Sequence, residues 1–154
     1  MPFTFQQLNE NNAVTTADVS LVITPNTPIF AETNWVGGDT ATGTLNVEND
    51  SGVDVTYYVS ADWYAAAGGT VQDARLLAER LEITVTADPG GVDEEELYSG
   101  TLAGLIQQPV AGRALATGAN EDVEFVLTLP LAAATDLIQD MGIEFDLVFV
   151  AVAP

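Results

Sequence analysis

Cysteine, histidine and lysine are all absent from this chain of 154 residues, and the only basic residues are Arg75, Arg80 and Arg113. Without cysteine there are no disulfides and no thiolate chemistry. Without histidine there is no Ser-His-Asp triad and no His-Glu-x-x-His zinc site, and without lysine there is no Schiff base and no P-loop. Most of the catalytic repertoire is excluded, so we expect neither enzymatic activity nor a cofactor.

Positive charge is scarce, whereas 23 acidic residues bring the net charge to −20. Such a charge repels nucleic acid and anionic membrane surfaces, which makes both poor partners. It favours solubility, cation binding, or life in concentrated salt or at low pH. Divalent cations therefore remain a candidate partner.

Long apolar runs are also lacking. No run reaches the roughly 18–20 residues that cross a bilayer, and residues 1–10 show neither the basic start nor the apolar centre of a signal peptide. We therefore expect no membrane span, and a chain that is either cytoplasmic or shown in its processed form. With 47% hydrophobic residues, it is long enough to bury one core.

A strand, a short helix and a second strand are predicted over residues 122–153. Residues 122–129 alternate apolar and polar, Pro130 stops that strand, and residues 131–139 give about two helical turns. Residues 143–153 end as a nearly continuous apolar run, which is typical of a strand buried on both faces. We expect this second strand to lie mid-sheet, with a partner on each side.

A hairpin is predicted where residues 40–48 and 53–63 flank the tight-turn sequence Asn49-Asp50-Ser51-Gly52. Asn49-Asp50-Ser51 also fits the N-glycosylation sequon, although a turn explains the same residues and is favoured. Further strands are predicted at residues 14–24 and 81–87, and a short amphipathic helix at residues 71–81.

About seven strands, many turns and a few short helices, without regular βαβ alternation, predict an all-β fold. We expect a jelly-roll-type two-sheet β-sandwich over residues 13–154. Residues 1–12 form a separate N-terminal arm in which Met1, Phe3 and Phe5 alternate with other residues and Leu8 follows. Two interpretations of the arm stay open, namely pairing with its own sheet and pairing with another molecule.

The densest acidic run is Asp93, Glu94, Glu95 and Glu96. It follows an Asp-Pro-Gly-Gly turn and is a weak candidate for contact with a cation such as calcium. The spacing is not that of an EF-hand loop, so a solvated acidic loop is favoured.

Three segments, in the same order, resemble the TasA/camelysin family. The first is GTLNVENDSGVDVTYYVS, the second LYSGTLAGL (97–105), and the third EFVLTLPLAAATDLIQDMGIEFDLVFVAVA; together they cover about half of the chain. The resemblance implies a jelly-roll subunit of an extracellular biofilm-matrix or surface filament, left after signal removal. The metallopeptidase activity ascribed to camelysin is not carried over, because no usual zinc ligand set is present.

By the same resemblance, subunits polymerise head-to-tail by donor-strand complementation, in which the arm of one subunit completes the sheet of the next. The donor would be residues 1–11, with Met1, Phe3, Phe5 and Leu8 as its contacts. The filament would support a biofilm matrix or cell adhesion.

Two other functions remain open. A monomeric, secreted β-sandwich could bind carbohydrate or calcium, with Trp35, Trp63 and Tyr64 as a stacking platform, although aromatic residues in a sandwich are more often core. A hydrolase that uses only carboxylates is the third candidate, but nothing in the sequence pairs any two of them.

Overall fold

The computed structural model describes residues 6–106 and 112–154, which contain eight strands, one α-helix and three short 3-10 helices. In chain order the elements are β1 (Leu21–Thr24), β2 (Thr40–Asn49), β3 (Val55–Ala65), α1 (Val71–Ala78), β4 (Glu82–Ala87), β5 (Glu95–Thr101), a 3-10 helix (Leu102–Ile106), β6 (Arg113–Leu115), β7 (Asn120–Thr128), two 3-10 helices (Leu131–Ala133 and Asp136–Ile138) and β8 (Ile143–Val152). Within the described ranges, no helix is long and apolar enough to cross a membrane.

The strands form two antiparallel sheets. The larger sheet has the order β1-β2-β7-β4-β5, and the smaller sheet has the order β6-β3-β8. Side chains of both sheets contribute to one apolar core. In it, Phe125 on β7 packs edge to face on Phe149 on β8, with ring centroids 6.4 Å apart. The predicted all-β, two-sheet sandwich with a few short helices is confirmed.

The core is built by alternate residues of the central strands. On β7, Val123, Phe125 and Leu127 are buried, and on β3, Tyr57 and Val59 are buried, while the residues between them are more exposed. Successive side chains of a strand point to opposite faces, which is why the alternation in residues 122–129 correctly predicted a strand with one buried face.

Helix α1 begins at a capping box. The Thr70 hydroxyl accepts a hydrogen bond from the Asp73 amide, and the Asp73 carboxylate accepts one from the Thr70 amide, each at 3.1 Å. These bonds satisfy donors that a helix N-terminus leaves unpaired. The helix buries Ala74, Leu77 and Ala78, as the spacing of its apolar residues predicted.

The hairpin predicted for residues 40–63 is wrong. β2 pairs with β1 and β7, whereas β3 pairs with β6 and β8, so the two strands belong to different sheets. Residues 50–54 connect one sheet to the other. A short turn sequence fixes a reversal of the chain, but it does not fix whether the next strand pairs with the last one or packs across from it.

Asn49 holds this crossing in place. The residue is completely buried, and Nδ2 donates to the carbonyl oxygens of Val53 (2.9 Å) and Leu115 (3.0 Å). Its Oδ1 accepts a hydrogen bond from the Ser51 amide (2.9 Å). Both hydrogens on Nδ2 are therefore used, and a glycan at this nitrogen is incompatible with these bonds. The structure favours the turn interpretation of the Asn49 sequence.

The prediction that residues 143–153 lie mid-sheet is not met among the described strands. β8 pairs with β3 on one side, and on the other side none of the described residues pairs with it. Its side chains alternate between half-buried and exposed along all ten residues. The continuous apolar run therefore belongs to an edge strand.

Two smaller predictions need correction. Residues 131–139 form two separate 3-10 turns instead of one helix, and the strand predicted at residues 14–24 begins only at Leu21. In both segments most side chains are exposed, so tertiary packing contributes little to extend the local structure.

An ion pair connects the two sheets. Arg113 on β6 binds Glu121 on β7 with Nη2–Oε2 at 2.7 Å and Nε–Oε1 at 3.0 Å, and both side chains are largely buried. The Tyr57 hydroxyl donates to the same carboxylate at 2.7 Å. Hydrogen bonding to Glu121 raises the pKa of Arg113, and burial together with this carboxylate raises the pKa of Tyr57. Both groups therefore stay protonated at neutral pH.

Replacing Glu121 should test this connection. We expect Glu121→Gln to lower the free energy of unfolding by about 2–3 kcal/mol, because it leaves a largely buried guanidinium without its closest charge partner. The measurement is urea denaturation at neutral pH.

The control is Glu79→Gln, which removes the exposed Arg75–Glu79 pair on α1 and should cost at most about 0.5 kcal/mol. Equal losses in the two variants would show that the Arg113–Glu121 pair contributes no more than a surface contact.

Candidate functional site

The described sheet edges differ in how well they are protected against pairing with another strand. β1 and β6 have only four and three residues, and β5 carries Glu95 and Glu96 where its pairing with β4 shifts register. Short strands, charges and bulges are the usual means of blocking strand addition. β8 has none of them over most of its ten residues, since its two carboxylates, Glu144 and Asp146, lie near its start.

The inward face of β8 is also incompletely covered. Phe145, Leu147 and Phe149 point into the sandwich but are only half-buried, whereas Val59 and Ala61, their neighbours on β3, are 2–3% exposed. Burial therefore declines from the middle of the smaller sheet toward its free edge. The larger sheet has five described strands and the smaller has three, which leaves part of the larger sheet without a facing strand.

A groove of about 1610 Å³ lies in this gap. One wall is the first half of β8, residues 143–147, and the other is the connection between β1 and β2, residues 25–37. Five leucines complete the lining. They lie on β2 (Leu45), on and just after α1 (Leu77 and Leu81), and on and just after β7 (Leu127 and Leu129). An apolar groove beside an unpaired strand edge can accept an extended peptide.

The second wall is held against the sheets by close packing. Phe30 packs on Phe145 with ring centroids 6.0 Å apart. Ile29 lies so close to Gly43 that a Cβ added there would come within 2.8 Å of the isoleucine. Any larger residue at position 43 would displace residues 25–37, so this glycine sets the position of the wall.

Carboxylates surround the groove. The lining residues include Glu32, Asp136, Asp140, Glu144 and Asp146, and no described lining residue is basic. An acidic occupant would be repelled, so the charge favours a segment that is nearly neutral.

A candidate occupant is residues 6–19, which we call the exposed arm. Every residue in it is exposed, and none forms a strand or pairs with one. It contains only Glu10 and Asp18 as charged residues, and its apolar residues include Leu8 and Val14, which are 61% and 94% exposed. The interpretation in which the arm pairs with its own sheet is not seen for residues 6–19.

The predicted donor residues fall partly within this segment. Leu8 lies in the exposed arm, whereas Met1, Phe3 and Phe5 lie outside the described residues. The exposed segment also continues beyond residue 12, the predicted end of the arm, and reaches Val19.

The acidic run does not converge on a cation site in the described part of the chain. The Glu94 carboxylate accepts a hydrogen bond from the Gly90 amide, and Glu95 binds Arg113. The Asp93 amide donates to Asp88, while Glu96 continues β5. Among residues 6–106 and 112–154, no three acidic side chains are grouped so that they could hold a metal ion.

The predicted aromatic platform does not form one surface. Trp63 and Tyr64 are consecutive on β3 and therefore point to opposite faces of the sheet. Trp35 packs against the core and lines the groove, as does Tyr64. Trp63 does not line it, so the three predicted residues do not form a single platform.

Comparison with known proteins finds no family model that matches this chain and no similar protein among those with curated descriptions. The likeness to TasA/camelysin proteins thus stays a hypothesis based on three segments. The arguments for function come from the geometry of β8, the groove and the exposed arm. Sequence reasoning identified the arm but not the residues that line the groove, because its two walls are more than 100 residues apart in sequence.

Proposed function

We propose that this chain is the structural subunit of a homopolymer in which the arm of one copy adds as a strand to β8 of another. The observation that carries the proposal is the free edge of β8, whose inward side chains are only half-buried beside an open apolar groove. A fourth strand there would pair the free backbone groups and cover these side chains.

The occupant we assign is a second copy of the same chain. The exposed arm carries exposed apolar residues and pairs with no described strand of its own molecule. In residues 1–11, Glu10 is the only charged side chain. Burial of Phe3, Phe5 and Leu8 would contribute roughly 4.5–9 kcal/mol, at about 1.5–3 kcal/mol for each side chain. Main-chain hydrogen bonds along β8 would add to this.

Such a contact generates a fibre. The arm and the groove are different surfaces, so each copy donates one and offers the other, and the contact does not close on itself as a symmetric dimer does. This mode of assembly agrees with the resemblance to biofilm-matrix filament subunits. We accordingly assign the chain to an extracellular filament with a role in a biofilm matrix or in adhesion, and not to an enzyme.

Deletion of residues 1–11 tests the role of the arm. The truncated chain should fold, because none of the described residues removed is packed in the core, and it should remain monomeric. Size-exclusion chromatography and negative-stain microscopy measure the result. Long filaments of the truncated chain would overturn the proposal.

Deletion of the arm removes its side chains and its backbone together. A matched pair of point variants tests the buried side chain alone. Leu8→Asp and Gln6→Asp each add one negative charge to an exposed residue, so neither should affect folding. Leu8→Asp should abolish assembly because it places a carboxylate in an apolar groove, whereas Gln6→Asp should be tolerated. Equal assembly of both variants would contradict the assignment of Leu8 as a buried contact.

Salt should accelerate assembly. Each copy carries a net charge of −20, and at about 0.01 M ionic strength the Debye length of roughly 30 Å leaves neighbouring copies unscreened. We expect filament growth, followed by light scattering, to become faster as sodium chloride is raised or calcium is added. A flat response would mean that strand insertion outweighs the repulsion.

The carboxylates around the groove should dominate this effect. Combined Glu144→Gln and Asp146→Asn should lower the salt requirement more than combined Glu82→Gln and Glu96→Gln, which change the net charge equally but lie on the larger sheet. Equal shifts would assign the effect to net charge alone.

A further inference from the structure

The two ends of the sandwich differ, and the arm starts at only one of them. Ser20, where the exposed arm ends, is fixed by its amide donating to Ser51 Oγ at 2.7 Å and by its carbonyl accepting from the Asp50 amide at 3.2 Å. Ser51 follows Asn49, which bonds to the end of β6. We call this the root end.

β8 finishes at the root end. Val152 pairs with Thr56 near the start of β3, and the preceding residue on β3, Val55, pairs with Leu115, to which Asn49 is bonded. β8 starts at the other end of the sandwich, where Ile143 pairs with Ala65. β8 therefore runs toward the end from which the arm leaves.

The groove opens at the end opposite the root. Its walls include Ile143 to Leu147 in the first half of β8, and Leu127 and Leu129 around the end of β7. Pairing of Thr128 with Thr40 places the end of β7 and the start of β2 there too. We call this the open end. With about 3.3 Å per residue, the two ends of β8 are roughly 30 Å apart.

We propose that the arm enters a neighbouring copy through its open end and runs antiparallel to β8; this inference rests on the proposed function. An arm that leaves the root end of one copy and passes into the open end of the next has its N-terminal part deepest, toward Val152. Its chain direction is then opposite to that of β8. An arm folded back into its own groove would instead run parallel to β8.

The surface at the open end fits this path. Val36, Leu131 and Leu137 are 64–77% exposed there. Gly37 packs closely on Ala134, because a Cβ added to the glycine would lie 2.8 Å from the Cβ of Ala134. This contact holds together the two loops that carry the exposed apolar residues. An arm inserted up to about residue 11 leaves Val14 and Val19 between the two copies, where they can cover this apolar surface.

Cysteine cross-linking tests the direction, because the chain has no cysteine of its own. Antiparallel insertion of residues 1–11 along β8 brings Glu10 close to Glu144, whereas parallel insertion brings it close to Val152. Subunits with Glu10→Cys are mixed with equal amounts of subunits with Glu144→Cys or, separately, Val152→Cys. Each mixture is assembled and treated with a thiol cross-linker much shorter than the roughly 30 Å length of β8.

We expect a cross-linked dimer of Glu10→Cys with Glu144→Cys subunits, and no such dimer in the mixture with Val152→Cys. Gel electrophoresis and peptide mass spectrometry measure the result. Dimer in the Val152→Cys mixture alone would overturn the antiparallel direction while leaving strand exchange intact. Filaments with no dimer in either mixture would overturn both this inference and the proposed function. Circular dichroism of each variant checks that it is folded, since all three substituted side chains are exposed.

Discussion

The backbone hydrogen bonding of β8 is the constraint that determines which partner this molecule can bind. A strand inside a sheet satisfies its amides and carbonyls on both sides, whereas an edge strand leaves half of them to water or to another chain. Among residues 6–106 and 112–154 nothing pairs with the outer edge of β8, which is ten residues long and has half-buried inward side chains. Hydrogen bonding and side-chain burial therefore favour the same partner, an extended apolar segment.

The distribution of charge limits which partner that is. None of the three arginines lines the groove. Arg113 connects the two sheets through Glu121, Arg75 pairs with Glu79 on α1, and Arg80 donates to the Leu76 carbonyl. Around the groove the described charges are carboxylates. Like charge opposes indiscriminate pairing between copies of the chain at this edge. Residues 1–11 carry only Glu10 as a charged side chain, so this repulsion acts on them weakly.

Local patterns predicted the elements better than their partners. The alternation of β7 and the helical spacing around Leu77 identified a strand and a helix, because each depends on neighbouring residues. The pairing of β2 with β7 joins residues about 80 positions apart, and no short motif encodes it. The apolar run of β8 predicts a strand buried on both faces, yet Val148 and Val150 are 37% exposed. An apolar run predicts that a strand is buried, but it does not predict which segment packs against that strand.

Hydrogen exchange at β8 tests the central claim most directly. In an antiparallel edge strand, alternate amides bond to the neighbouring strand and the others face outward. In the isolated subunit, we predict fast exchange at the outward amides of residues 143–152 and slow exchange along β7. In the filament the outward amides should become as protected as the rest of β8. Fast exchange at those amides in assembled filaments would contradict the claim that a strand from another copy occupies this edge.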